Sequence, residues 1–249
     1  MITDLWTIFW KEWKEFLLAP GSRRGNMTRQ LLLIFVFGVF LPLQLGRAWV
    51  NSPIALIYWI WVPMLLVSSM VADAIAGERE RHTLETLLST RMPDRPILYG
   101  KVLASVAYGW GVTLVSLILG LAVVNVTQGH GRLLLYPPLM AVGGAVLSFL
   151  VAGLAASGGV LVSLRAPTVR QAAQTLSIVT LGFWLVPVVG LTLVRKVLPA
   201  SALDLPGGAL AAVNWALMLP IVVVLLAAVD LGLLAIAVKR FQRSRLILD

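Results

Sequence analysis

The chain has 249 residues, a formal net charge of +9 and no cysteine; 59% of its residues are hydrophobic and only 12% are charged. Soluble domains carry about 25% charged residues, so this composition, with a mean hydropathy of +0.91, excludes an ordinary soluble domain and predicts a membrane protein. The lack of cysteine excludes disulfides, thiolate metal sites and cysteine nucleophiles.

The first segment, within residues 1–20, is predicted to form an amphipathic helix with the sequence DLWTIFWKEWKEFLLAP. Its aromatic residues and leucines recur at helical spacing, whereas charged residues occupy the other faces. The segment is too polar to cross a bilayer, and an apolar segment follows it closely. We therefore expect it to lie in the membrane interface with its indoles at headgroup level, the alternative being a soluble helix packed on a protein partner.

Six apolar segments are long enough to cross a bilayer, which requires about 20 helical residues. Their bounds are 30–46, 54–76, 98–124, 134–164, 171–194 and 216–238. Four prolines inside these segments predict kinks, and they are Pro42, Pro63, Pro187 and Pro220. The predicted fold class is an all-α membrane protein with six transmembrane helices, forming a single domain over residues 1–249.

The basic residues predict the topology of these six segments. Sixteen of the 20 lysines and arginines fall on one side of the predicted membrane, and four fall on the other. The four are Arg47, Arg132, Arg195 and Lys196. Because cytoplasmic loops carry the excess of lysine and arginine, both termini are expected in the cytoplasm. The pI of about 10.7 then reflects a cationic rim beside membrane lipid, and no nucleic-acid partner is predicted.

The loop between the second and third predicted spans, residues 77–96, concentrates charge in the sequence GERERHTLETLLSTRMPDRP. The signs alternate from Glu78 to Arg81, and Leu84, Leu87 and Leu88 share one face of a predicted short helix. A stripe of mixed charge beside leucines suits recognition of a soluble partner. The alternative is a solvated loop that only sets topology.

This loop resembles the segment after the second span in the membrane permeases of ABC transporters of the type-2 exporter class. The shared features are alternating charges, Thr-Leu-Glu, a leucine pair, a proline, and Gly-Lys at the start of the third span. The matching residues are Gly77, Glu78, Arg79, Glu80, Arg81, Thr83, Leu84, Glu85, Leu87, Leu88, Pro93, Gly100 and Lys101. His82 stands where a small residue, usually glycine, is expected. Residues 161–177, LVSLRAPTVRQAAQTLS, resemble the family's loop between spans four and five.

The resemblance implies a permease subunit, usually dimerised with an identical or a different permease chain, that is driven by two cytoplasmic ABC ATPase subunits. A cytoplasmic coupling helix between spans two and three would transmit closure of the ATPases. Its predicted ATPase-coupling residues are Glu78, Arg79, Glu80, Arg81, Thr83, Leu84, Glu85, Leu87 and Leu88.

The chain itself is predicted to be no enzyme. It contains no Gly-x-x-x-x-Gly-Lys phosphate loop, so ATP and magnesium are expected in the partner ATPase, with no cofactor, metal or catalytic residue in this chain. The expected location is the inner membrane of a prokaryote, in contact with membrane lipid. The rival hypothesis is a membrane anchor or scaffold that transports nothing and recruits a soluble cytoplasmic partner.

A few further residues carry predictions. Asp230 lies nine residues before Lys239, about 13.5 Å along a helix, which places it in the hydrocarbon facing protein or water. A substrate or ion contact and a hydrogen-bonded packing role both stay open for it. Asp73 is interpreted as a structural partner of Lys101. The small residues of span four predict a packing face within the subunit, the alternative being a dimer contact. Residues 195–215 form either a re-entrant extracellular segment or a plain loop.

Overall fold

The computed structural model describes residues 2–18, 23–52, 54–83, 92–129, 131–197 and 215–241, which are helical apart from short connections. The helices are α1 (Ile2–Leu18), α2 (Arg23–Phe35), α3 (Leu41–Leu45), α4 (Arg47–Asn51), α5 (Ile54–Ala72), α6 (Glu78–Glu80), α7 (Asp94–Gln128), α8 (Pro138–Ser163), α9 (Val169–Val197) and α10 (Trp215–Arg240). Two π-helical turns, Val36–Phe40 and Asp73–Gly77, join α2 to α3 and α5 to α6. The described part of the chain contains no β-strand, as the predicted all-α class requires.

Within the described residues, four helical segments are long and apolar enough to cross a membrane. They are Ala55–Glu80, Asp94–Gln128, Pro138–Ser163 and Met218–Arg240, which match predicted spans two, three, four and six. The apolar helix Gln30–Leu45 covers the first predicted span but is shorter. Helix α9 contains the fifth predicted span without being among the four. The predicted re-entrant segment 195–215 lies mostly outside the described residues.

Proline has different local effects in α3, α5 and α10. Pro42 follows directly after the first π-helical turn, in which the amide of Leu41 donates to the carbonyl of Val36. Proline lacks an amide hydrogen and its ring crowds the preceding turn, so a widened turn next to it relieves that crowding. Pro63 and Pro220 lie inside α5 and α10, which continue through them.

Helix α8 packs between α5 and α10, and its glycines allow the close approach. A Cβ atom added at Gly144 would clash with the ring of Trp59 on α5. At Gly159 it would come within 3.0 Å of Val71 Cγ1, also on α5. Small residues let membrane helices pack closely. The predicted packing face of span four within the subunit is therefore confirmed.

Helix α1 crosses the first turns of α7 at Gly100, where an added Cβ would lie 2.6 Å from Ile8 Cγ2. Ile8 is buried in this contact, whereas Trp6 and Trp10 remain 54% and 45% exposed. The predicted helix in the first segment is thus confirmed, and one of its faces packs on the chain's own α7. Its exposed indoles fit the predicted position in the membrane interface, which stays a prediction.

The end of the bundle near Gly46 is closed by hydrogen bonds that involve neutral side chains. The Asn125 side-chain amide bridges α7 to the following loop, donating to the Leu134 carbonyl and accepting from the Leu134 amide at 2.8 and 2.7 Å. Trp49 Nε1 donates to the Tyr136 hydroxyl at 3.0 Å. These contacts join α4, α7 and the loop that leads to α8.

Candidate functional site

Four charged side chains meet where α1, α6 and the start of α7 come together. Lys101 Nζ donates to Glu12 Oε1 at 2.7 Å and to the Ala74 carbonyl at 2.8 Å, and it lies 2.9 Å from Glu78 Oε1. Three acceptors satisfy the three N–H groups of an ammonium. Lys11 Nζ donates to the same Glu78 oxygen at 2.8 Å. We call these residues (Lys11, Glu12, Glu78 and Lys101) the ion-pair network; its formal charges cancel.

The ion-pair network is largely removed from solvent. Glu12 and Lys101 are each 2% exposed and Glu78 is 6% exposed. Burial of a charge costs roughly several kcal/mol in lost hydration, and ion pairing with hydrogen bonds can offset that cost. The pairing therefore ties α1, α6 and α7 to one another. Glu78 Oε2 is buried and has no hydrogen-bond partner within the described ranges, so all of this carboxylate's described pairing goes through Oε1.

Lys11 stays charged in this environment. Burial lowers the pKa of Lys11, but the hydrogen bond to Glu78 and the negative charges of Glu78, Glu12 and Glu15 outweigh it. The net result is a pKa of Lys11 above the ordinary value of 10.5. A lysine with a raised pKa is fully protonated at neutral pH, so Lys11 offers Glu78 a full positive charge.

Arg79 and Glu80, which follow Glu78, contact a different part of the chain, the connection between α8 and α9. The Arg79 guanidinium donates to the carbonyls of Ala166 and Leu164 at 2.9 and 3.0 Å. Glu80 Oε2 accepts a hydrogen bond of 3.1 Å from the amide of Val169, the first residue of α9. A carboxylate there satisfies an orphan amide and complements the helix dipole. Arg79 and Glu80 together fasten the segment after α5 to the α8–α9 connection.

The remaining described residues of the segment bind locally. Arg81 Nη2 lies 3.1 Å from Asp73 Oδ1, and Thr83 Oγ1 donates to the Glu78 carbonyl at 3.2 Å. The interpretation of Asp73 as a partner of Lys101 is therefore wrong. The Lys101 ammonium already has three acceptors, and Gly77 leaves room for the Asp73 side chain to turn towards Arg81, since an added Cβ there would clash with Asp73 Oδ1.

His82 has an unusual backbone conformation. Its φ of +55° makes it the one non-glycine residue with positive φ within the described ranges. The amides of Arg81 and His82 donate to the carbonyls of Gly77 and Arg79, which closes the short helix α6. A left-handed residue at a helix end is normally glycine. His82 therefore occupies a position that requires the conformational freedom of glycine, the residue usually found there in the family pattern.

Not every predicted coupling residue falls within the described ranges. Leu84, Glu85, Leu87 and Leu88 lie outside them, so the leucine face of the predicted coupling helix stays a prediction. Conversely, the sequence pattern missed Glu12. The available signal was its spacing, because Glu12 follows the buried Ile8 by four residues and so shares its helix face.

Asp230 faces another helix, as expected for an acid at that depth. Its Oδ1 lies 3.2 Å from Ser157 Oγ on α8, and a Cβ added at Gly153 would meet its carboxylate. The hydroxyl supplies a hydrogen bond inside a segment where none is available from lipid. Asp230 therefore joins α10 to α8, far along the chain from the ion-pair network.

A groove of about 480 Å³ runs between α2, α5 and α9. Its walls are mainly apolar, and hydroxyl groups from two helices interrupt them. These hydroxyls belong to Ser68, Ser69, Ser177 and Thr180. Such a mixed surface can accommodate an amphiphilic molecule or another helix.

Long apolar helices, packed through glycines and joined at one end by a buried ion-pair network, define an integral membrane protein of the multi-span α-helical class. The sequence profile of the ABC-2 type transporter family matches residues 3–189. The chain therefore belongs to the ABC-2 type transporter family, in which it is a membrane permease, and the predicted resemblance is confirmed. No curated protein matches it. The matched region includes the ion-pair network and the charged loop 77–96.

Proposed function

We propose that this permease exports its substrate with energy from ATP hydrolysis, and that the ATP and magnesium are bound by two separate cytoplasmic ABC ATPase subunits. It works as a dimer with a second permease subunit, identical or different. It resides in the inner membrane of a prokaryote with both termini in the cytoplasm, as the one-sided distribution of its lysines and arginines favours.

The observation that carries the proposal is the set of contacts made by residues 78–83. Glu78 binds lysines of α1 and α7, whereas Arg79 and Glu80 bind the α8–α9 connection. A displacement of this short segment is therefore passed directly to several helices. Conformational coupling in transporters needs such a rigid connection between the driven surface and the moving helices.

We assign the ATPase contact to the stretch that follows this anchored segment. Its leucines, Leu84, Leu87 and Leu88, have the spacing of one helix face, and Glu85 adds a charge. In this proposal Glu78, Arg79, Glu80, Arg81 and Thr83 transmit force within the chain, and the leucines with Glu85 meet the ATPase. This division refines the coupling role predicted for all nine residues.

The substrate path is assigned to the groove between α2, α5 and α9. Four hydroxyls in an otherwise apolar groove give a surface that can guide an amphiphilic substrate. We infer that Asp230 has a packing role, since its hydrogen bond to Ser157 and its contact with Gly153 direct it towards α8. The Asp230→Asn variant, which keeps a hydrogen-bonding group of the same size, should therefore retain transport; loss of transport would restore the substrate-contact hypothesis.

The coupling assignment is tested with the full chain and the ATPase that co-purifies with it from its native membrane. The double variant Leu84→Asp and Leu87→Asp should lose the ATPase and with it the transport-linked hydrolysis. The matched control is Leu133→Asp, which changes an 84% exposed leucine in the loop between α7 and α8. Retention of the ATPase by the double variant would contradict the assignment.

The same preparation separates a transporter from a scaffold. A permease changes the hydrolysis rate of the bound ATPase when substrate is added, whereas an anchor binds a soluble partner without altering its rate. A wild-type complex whose hydrolysis never responds to any membrane extract, and which moves nothing into vesicles, would favour the scaffold.

A further inference from the structure

A second cleft lies at the same end of the bundle as the ion-pair network. It has a volume of about 430 Å³ and is formed by the end of α8, the start of α9 and the end of α10. Its apolar wall includes Leu161, Val162 and Ile236, and two arginines, Arg165 and Arg240, complete the lining. The volume falls within the range of small-molecule sites, about 300–1,000 Å³.

The two arginines differ from the lysines of the ion-pair network and from Arg81, which pair with carboxylates. Arg165 and Arg240 are exposed and make no ion pair with any residue that the structure describes. The nearby acid Glu80 is bound to the amide of Val169. The cleft is thus cationic, and no acidic side chain among the residues that the structure describes pairs with its arginines.

The position of the cleft determines which anion it can meet. Helix α8 ends at Ser163 and α10 ends at Arg240, and both are membrane-spanning segments. Their ends therefore lie at the boundary between hydrocarbon and headgroups, with the apolar wall on the hydrocarbon side. Basic pockets between transmembrane helices at this level recognise phosphate-bearing lipid headgroups.

We propose that this cleft is a binding site for an anionic phospholipid. Arg165 and Arg240 bind the phosphate group, and an acyl chain lies along Leu161, Val162 and Ile236. Arginine suits this role because its planar guanidinium presents paired N–H donors to phosphate oxygens. A bound lipid would bridge α8, α9 and α10, and would so stabilise the position of the last helix.

The experiment uses the full chain in detergent and measures retention of added lipid by native mass spectrometry. The probes are phosphatidylglycerol, which is anionic, and phosphatidylcholine, which is zwitterionic. The wild type should retain phosphatidylglycerol preferentially. The double variant Arg165→Ala and Arg240→Ala should weaken that retention by about fivefold for each arginine, the effect of one basic residue near an anionic surface. Binding of phosphatidylcholine should not change.

Two further variants separate a defined site from general surface charge. Arg95→Ala removes an exposed arginine at the start of α7 that does not line the cleft, and it should leave retention unchanged. Ile236→Trp keeps both arginines but fills the cleft, and it should weaken retention. Loss of lipid in Arg95→Ala equal to that in the double variant, or full retention in Ile236→Trp, would overturn the proposal.

Inorganic phosphate distinguishes a lipid from a soluble anion. If phosphate at the same concentration displaces phosphatidylglycerol, the acyl chain contributes nothing and the assignment to a lipid fails. Thermal unfolding gives an independent readout, since a ligand that binds only the folded state raises the melting temperature as its concentration exceeds its Kd. Phosphatidylglycerol should raise the melting temperature of the wild type and of Arg95→Ala, and not that of the double variant.

Discussion

The two ends of the helical bundle are held together by different chemistry. At one end, the buried Lys101 and the partly exposed Lys11 connect α1, α6 and α7 through contacts of 2.7–2.9 Å between Nζ and the carboxylate oxygens of two buried glutamates. At the other end, a neutral amide and a pair of aromatic side chains connect α4, α7 and the following loop. The first end depends on a balance of charge, whereas the second depends on hydrogen bonds between neutral groups, to which Arg47 adds bonds to Gln128 at 2.9 and 3.3 Å.

This difference indicates how each end responds to a partner. Removal of one charge from a balanced cluster leaves its partners buried without a counter-ion, so the contacts between all three helices are weakened. Loss of a neutral hydrogen bond affects only the groups that made it. A junction of the first kind is suited to transmit an event at the adjacent loop, and one of the second kind is suited to hold the helices at fixed separation.

The largest expected effect on stability comes from removal of the Lys101 ammonium, which lies between Glu12 and Glu78. Lys101→Met should destabilise the protein by about 3–5 kcal/mol, because Glu12 and Glu78 would remain buried without Lys101 as their counter-ion. Thermal unfolding in detergent measures the loss. Lys14→Met is the matched control, since Lys14 is exposed on α1, and it should change stability by less than about 0.5 kcal/mol.

A double-mutant cycle sharpens this prediction. Glu12→Gln should be less destabilising in the Lys101→Met background than in the wild type, since its partner is already gone. Equal effects in both backgrounds would mean that the 2.7 Å contact between Lys101 and Glu12 contributes nothing to the coupling of α1 and α7.

At the neutral end, Asn125→Ala should destabilise by about 1–3 kcal/mol, because it removes both hydrogen bonds to Leu134 and leaves the backbone groups of that residue unpaired. Thr127→Ala is the control, because that exposed hydroxyl bonds only to carbonyls of its own helix. The same thermal unfolding assay applies. Asn125→Ala behaving like the control would mean that this end of the bundle does not depend on the amide.

Much of the fold could be predicted because hydropathy and length report directly on membrane spans. Helix α7 shows where this stops: it runs from Asp94 to Gln128, whereas the predicted span covered 98–124. The extra turns carry polar residues, which helices tolerate at their ends but which an apolar pattern excludes. The packing face of α8 was also predictable, since several small residues in an apolar helix indicate close approach of a neighbouring helix.

The partners of the charged residues could not be predicted in the same way. Glu12 and Lys101 are separated by 89 positions and meet only because α1 crosses α7 at Gly100. The partners of Arg79 are backbone carbonyls, which no side-chain pattern marks. The alternating charges belong to a segment whose side chains contact several helices, but the partners of these side chains are set by the helix crossings.

A smaller effect, of opposite sign, is expected at the end of the charged segment. His82→Gly should stabilise the protein by about 1 kcal/mol, because a left-handed residue with a side chain is strained by roughly 1–2 kcal/mol and glycine loses part of that gain in unfolded-state entropy. His82→Ala is the control: it removes the imidazole but keeps the strain, so it should not stabilise. Equal stabilisation by alanine and glycine would assign the effect to the side chain instead of the backbone.

The smallest effect concerns Lys11, whose side chain is 38% exposed, so that solvent screens its pairing with Glu78. Because the pKa of Lys11 is raised on folding, its contribution to stability is present below the ordinary value of 10.5 and is lost as pH rises through the raised value. The wild type should therefore melt above Lys11→Met at neutral pH, and the difference should disappear only in alkaline solution. Comparison of these two proteins cancels the titration of all other lysines. A difference that persisted after Lys11 had lost its proton would mean that its methylene groups, packed at the junction, contribute more than its charge.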